Sequence, residues 1–204
     1  MKKKVLYLII TLAVCFTSCD EDCIELQNPS DVVALKKVIK KNFDGNLKVE
    51  TLELSTTNLS KDLQEVRVNY WKNGEEYTFY YCTTTKKEEE EKVLDVTTEE
   101  TSKREPKGAL RVSDFPIEQI TQDFEKAVEL IEEAYPVNGT VAYHNFTLRS
   151  YNFEVQKDQS ITSWFTLQGT KVGEDKSVNK DYSSIASYDF SFSKDAKGSI
   201  TYNR

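Results

Sequence analysis

Two helical stripes and a series of alternating runs organise this chain of 204 residues. Val32, Leu35, Ile39 and Phe43 recur at helical spacing with lysines between them, which gives a short helix one apolar face. Ahead of it, Asn28-Pro29-Ser30-Asp31 is a start signal: Ser30 can cap free N–H groups and Asp31 complements the helix dipole. Asp44-Gly45-Asn46 stops it. A longer stripe, Ile117, Ile120, Phe124, Val128, Ile131 and Tyr135, predicts a second helix that begins near Pro116 with Ser113 or Asp114 as its cap and ends at Pro136.

The remaining apolar positions alternate. Val66, Val68 and Tyr70 lie in one phase and Tyr77, Phe79 and Tyr81 resume it after Lys72-Asn73-Gly74, the strongest short-range signal for a two-residue hairpin turn. A ragged first strand is expected over Leu47 to Leu54, and a fourth near 92–97 from Val93, Leu94 and Val96. Phe146 and Leu148 are out of phase with Tyr151, Phe153 and Val155, so a bulge or turn is expected near Arg149-Ser150. Ile161, Ser163, Phe165 and Leu167 make another strand, residues 169–181 read as loop, and Tyr188, Phe190 and Phe192 pair with Ile200 and Tyr202 in a closing hairpin.

Taken together, these elements predict an α+β fold. Two helix-plus-antiparallel-meander units, α-β4 and α-β4/5, are joined by a charged linker. The expected division is a signal peptide over residues 1–18, a tether over 19–29, a first unit over 30–97, a linker over 98–112 and a second unit over 113–204. The runs Lys86 to Lys92 and Thr97 to Lys107 offer a core almost nothing, which predicts a solvated hairpin end followed by the linker. Shifting the chain by 92 places Ile39 and Phe43 on Ile131 and Tyr135.

The N-terminus sets the compartment. Lys2, Lys3 and Lys4 precede a ten-residue apolar run, Val5 to Val14, too short for a spanning helix of about 20 residues. Phe16-Thr17-Ser18-Cys19 follows it and resembles the lipobox of a bacterial lipoprotein, with Phe16 in place of the usual aliphatic residue. The resemblance implies cleavage before Cys19, acylation of that cysteine and attachment to a membrane through the lipid. Asp20-Glu21-Asp22 resembles the acidic export tag of Bacteroidetes-type lipoproteins, which implies display at the outer face of the outer membrane. An Asp directly after the acylated Cys also resembles an inner-membrane retention signal, so a periplasm-facing location is the alternative.

Charge and chemistry narrow the function. The chain carries a formal charge of -7, and removal of residues 1–18 takes away three lysines and no acids, so a nucleic-acid partner is not expected. His144 is the single histidine and reads as structural or surface; no Gly-rich phosphate loop, nucleophile elbow or metal-ligand spacing is present, and no metal or cofactor is expected. The acidic run Glu88 to Glu91 lacks the spacing and glycine of a calcium loop. Cys23 and Cys82 either pair, clamping the tether to a strand, or stay unrelated. Trp71, Tyr80 and Trp164 fall on the phase opposite the apolar alternation of their strands and form a candidate binding surface; the competing reading buries them against a helix or sheet.

The element order across 30–204 resembles exported PepSY-like and β-lactamase-inhibitor-like tandem modules, which implies a non-catalytic binder. The expectation is therefore a lipid-anchored envelope protein with a binding surface for a protein or glycan. Two alternatives stand beside it: an envelope hydrolase using paired carboxylates, and a structural component of an envelope assembly.

Overall fold

The computed structural model describes residues 23–57, 61–93, 106–137, 140–173, 177–179, 182–184 and 187–203. Cys19, the acidic tag 20–22 and the linker positions 98–105 lie outside the described residues, as does most of the strand expected near 92–97.

A single 3-10 turn, Pro29–Asp31, opens the first helix, α1 (Val32–Asn42). The cap comes two residues earlier than the sequence suggests: Asn28 accepts the Ser30 N–H through its side chain, while Asp31 turns back to accept the N–H of Glu25 at 3.0 Å. A short strand, β1 (Lys48–Val49), follows, and then three in meander, β2 (Thr51–Thr56), β3 (Leu63–Lys72) and β4 (Glu75–Cys82). Asn73 and Gly74 both take positive φ, 56° and 79°, and close the β3–β4 hairpin in the manner their pairing predicts.

The acidic run is itself a strand, β5 (Lys87–Lys92), paired along β4 from Cys82↔Lys87 to Tyr77↔Lys92. The run is exposed along nearly its whole length, but it is a paired strand and not a hairpin end. The run has no apolar alternation to reveal it. It is held by its neighbour's backbone and by polar contacts: Tyr70 donates to Glu90, Tyr80 to Glu89, and Lys92 pairs with Glu75 at 2.5 Å. Such a charged edge also resists pairing with other chains.

Residues 106–112 are docked onto the body. β6 (Leu110–Arg111) pairs with β1, the Val112 N–H donates to the Leu47 carbonyl at 3.0 Å, and the buried carboxylate of Glu50 accepts the N–H of Lys107. The second helix, α2, is Gln119–Ala134, beginning three residues beyond Pro116. Ser113 does not cap it, because its hydroxyl donates to the Gly45 carbonyl at 3.1 Å and so ties this segment to the end of α1. Both helices stop alike: Phe43 and Tyr135 are their C-caps, and their N–H groups reach back to the carbonyls of Ile39 and Ile131.

After two short pairs of residues, β7 (Pro136–Val137) and β8 (Thr140–Val141), come the long strands β9 (Tyr143–Val155) and β10 (Ile161–Lys171). Thr166 pairs with Ser150 but Leu167 with Leu148, so Arg149 is the extra residue of the expected bulge. Part of the expected loop is a small hairpin, β11 (Ser177–Asn179) with β12 (Tyr182–Ser184), and β13 (Ser187–Lys194) and β14 (Ile200–Asn203) close the chain.

The two-unit α+β expectation is overturned by the sheet. One eight-stranded antiparallel sheet, ordered β14-β13-β10-β9-β2-β3-β4-β5, runs through both halves of a mostly β body. The join is the central pair β2–β9, with Leu52 opposite Phe153 and Leu54 opposite Tyr151. One core cluster takes in buried residues from both halves, from Ile39 and Val68 to Ile131 and Phe192. Its spine is a lateral row of rings: Tyr151 stacks on Phe165 at 5.1 Å, Phe165 on Phe192 at 5.3 Å, and Phe192 meets Tyr202 at 5.2 Å. Full burial of each such side chain contributes about 1.5 to 3 kcal/mol.

Both helices lie on the same face. Phe43 of α1 meets Phe79 edge-on at 5.2 Å, and Phe79, Val68, Leu52 and Phe153 are successive register partners in the phase that also holds Tyr151, which contacts Asp123 of α2. The opposite face bears no helix among the described residues.

Candidate binding face

Cross-strand register fixes what the helix-free face presents. One lateral row runs Ser193–Trp164–Asn152–Glu53–Arg67–Tyr80 over six adjacent strands. Its β10–β13 end is uncharged: Thr166 and Ser191 adjoin Trp164 and Ser193 one pleat along. Its β2–β5 end is charged, with Glu53 opposite Arg67, and Arg67 paired with Glu65 at 2.7 Å.

Trp164 is 46 % exposed, a large apolar ring in the open on an otherwise polar surface. Beside it on β9, Asn152 is only 6 % exposed, and its Oδ1 has no hydrogen-bond partner among the described residues. A buried acceptor left unmade costs about 1 to 3 kcal/mol, so this pair combines an exposed contact ring with an unsatisfied acceptor. Sequence reasoning missed Asn152. Its only signal is a polar side chain between Tyr151 and Phe153 in a strand otherwise rich in aromatics.

The other two aromatic candidates share this face but not this patch. Tyr80 lies four strands from Trp164, about 19 Å at roughly 4.8 Å per strand. Its hydroxyl donates to Glu89, and Arg67 sits 5.9 Å over its ring. Burial and the surrounding acids push its phenol up from the usual value. Trp71 is half-buried opposite Glu76 near the hairpin turn, and its indole N–H has no hydrogen-bond partner among the described residues. Cys23 is exposed and Cys82 half-buried, and no disulfide joins them. Cys82 is held below the usual thiol range, chiefly by hydrogen bonds from Thr85 and then Thr84. His144 sits on β9 opposite Thr170, away from the Trp164 row.

Three of the cavities among the described residues lie elsewhere. One of about 340 Å³ is bounded by α1, Ile24 and the β4–β5 turn. A second, of about 590 Å³, separates α1 from residues 112–117; beside it Lys36 pairs with Glu118 at 2.8 Å, holding the Glu118 carboxyl below the usual range. The third, of about 320 Å³, lies by Leu130 and Tyr202. Asp44 is the one carboxylate lining the second and Glu133 the one lining the third, so none of the three presents two acids to a substrate. No cluster of metal-ligating side chains occurs among the described residues.

One largely buried polar cluster is structural. Asp123 of α2 receives the Tyr151 hydroxyl at 2.5 Å and the Lys194 ammonium at 2.8 and 2.9 Å, and Lys194 also donates to Gln119 at 3.0 Å. It pins α2 to β9 and β13. Comparison with protein-family models, with curated proteins and with solved structures finds no match to this chain.

Proposed function

We propose that this chain is a lipid-anchored cell-envelope protein, held to a membrane through Cys19 and displayed at the outer surface, whose helix-free sheet face is a non-catalytic binding surface for a protein or glycan. The observation that carries the binding role is Trp164, 46 % exposed beside the unsatisfied Oδ1 of Asn152. Exposed Trp residues ringed by polar groups are where interface energy concentrates. The sequence Ser18-Cys19 after the apolar run supports the anchor, and an acylated cysteine holds a folded body at a membrane without a spanning helix.

The binding test is Trp164→Ala in the full-length protein, read by contact-dependent cross-linking on intact cells and by glycan-array binding. The substitution is expected to abolish the captured partner while leaving the melting temperature nearly unchanged. Undiminished binding by Trp164→Ala rejects this face. For the anchor, Cys19→Ala is expected to release a folded protein into the soluble fraction, and an N-terminal peptide without acyl mass in the wild type rejects it.

A further inference from the structure

Register sets Asn152 of β9 directly between Trp164 of β10 and Glu53 of β2 on the helix-free face. At roughly 4.8 Å per strand the three positions span about 10 Å, and Asn152, the shortest of them, is the floor between two longer side chains. Both polar members lack donors. No group among the described residues donates to Oδ1 of the buried Asn152. Glu53 is half-buried, and among the described residues its carboxylate has no hydrogen bond or ion pair; Arg67, opposite it, pairs with Glu65 at 2.7 Å and lies 5.9 Å over the Tyr80 ring. An amide oxygen and an ionised carboxylate only accept hydrogen bonds, so a ligand here must bring several donors. An apolar residue of similar shape at 152 would leave the fold no less stable, which points to the ligand for the use of this amide.

Charge and shape narrow that ligand further. Arg67 is the cation of the row and is engaged, and Lys107 pairs with Glu154, which follows Asn152 on the same face of β9. Nothing there offsets the repulsion of an anion by Glu53. The core of a protein interface is apolar, whereas Trp164 stands alone: the other exposed large apolar residues among those described are Val33 on α1, Val93 beyond β5 and Val172, eight residues further along the chain. Its neighbours are the hydroxyls of Ser193, Thr166 and Ser191. A sugar ring matches both halves of this patch. Its weakly positive C–H groups suit the electron-rich face of an indole, and its hydroxyls donate around the edge. We propose, resting on the reading that this face binds a partner, that the ligand is a neutral glycan: one sugar lies on Trp164, and hydroxyls of that sugar and the next donate to Oδ1 of Asn152 and to the Glu53 carboxylate.

The test is affinity electrophoresis of the full-length protein, in a polyoxyethylene detergent, through gels holding a neutral polysaccharide (dextran, amylose, mannan or galactomannan) or an anionic one (polygalacturonate or dextran sulfate). At least one neutral polysaccharide is expected to retard the protein. Trp164→Ala is expected to weaken that binding about tenfold or more. Asn152→Leu is expected to weaken it about threefold to tenfold with an equal or higher melting temperature, and Glu53→Gln, which keeps the shape and removes the charge, to weaken it severalfold. Retardation that Trp164→Ala or Asn152→Leu leaves unchanged overturns the inference, as does retardation by the anionic polysaccharides alone or by none of the six. If none of the six retards the protein but Trp164→Ala abolishes a protein cross-link on intact cells, the face binds a protein and only the glycan is rejected. If Trp164→Ala changes neither readout, the binding face is rejected with it.

Discussion

Tyr151 hands its phenolic hydrogen to Asp123 at 2.5 Å, joining the middle of β9 to α2 inside the core. Lys194 completes the arrangement from β13, with both Asp123 oxygens within 2.9 Å of its ammonium. The charges are nearly dry, since the side chains of Lys194 and Asp123 are 13 % and 8 % exposed. Removing one partner therefore differs from removing both. Asp123→Ala strands the Lys194 charge and is expected to cost about 3 to 5 kcal/mol, whereas the double replacement Asp123→Leu, Lys194→Met is expected to recover much of that loss. Urea denaturation of the single variants Asp123→Leu and Lys194→Met and of the double variant checks this; additive losses show that the pair is uncoupled.

Alkali reaches the same cluster through Tyr151. Burial first, and then the hydrogen bond to Asp123, raise its phenol far above the ordinary value of 10.0. Above about pH 10 the unfolded chain ionises this tyrosine while the folded one does not, so stability is complete below that pH and falls as pH rises beyond it. Tyr151→Phe is expected to be less stable at neutral pH by about 1 kcal/mol and to lose stability less steeply between pH 10 and 12. Parallel alkaline slopes for the two proteins refute the assignment.

Gly169 and Phe146 form a second testable pair. A bulge on β9, with Asn145 at φ 54°, turns the Phe146 ring onto the bare backbone of Gly169, where an added Cβ stands 2.6 Å from the ring. Gly169→Ala is expected to cost about 1 to 3 kcal/mol by overpacking, and much less in a Phe146→Ala background. A double-mutant cycle on thermal unfolding measures that coupling; equal costs in both backgrounds refute it.

Local signals in the sequence read the local structure well. Asn73-Gly74 marked its turn, the phase change across Arg149 marked its bulge, and the Ile117-to-Tyr135 stripe marked α2 with only its first turn misplaced. What the pattern does not encode is which distant strands meet. Leu52 against Phe153 joins residues about a hundred apart, and either strand alone is equally consistent with a separate sheet, so two units were expected where one sheet exists. β5 escaped because a strand of Lys and Glu has no period to detect and depends on β4 for its pairing. On the candidate face, alternation alone placed Trp164, Tyr80 and Trp71 opposite the core. The neighbour that distinguishes Trp164, Asn152, became visible only once the β9–β10 register was fixed.

Cys82 offers a chemical probe of the β4–β5 turn. Hydrogen bonds from Thr85, and less from Thr84, favour its thiolate and lower its pKa from the ordinary 9.0. Its alkylation by iodoacetamide in a Cys23→Ser background is expected to rise at lower pH than for a free thiol, and Thr85→Val is expected to shift that profile upward. A profile unmoved by Thr85→Val removes these bonds from the account.

The β3–β4 turn separates backbone strain from packing. Gly74 holds φ at +79°, and nothing lies within 4 Å of where a Cβ would stand, so a side chain there meets no steric obstacle from neighbours. Any loss on substitution comes from the left-handed backbone itself, which costs an ordinary L-residue about 1 to 2 kcal/mol and a β-branched one more. Gly74→Val is therefore expected to destabilise the fold by at least about 1 kcal/mol, and Gly74→Asn by clearly less, because Asn tolerates this conformation. The hairpin joins two strands of the eight-stranded sheet, so the loss should appear in global unfolding by calorimetry. Equal melting temperatures for wild type, Gly74→Val and Gly74→Asn contradict a turn that requires positive φ at this residue.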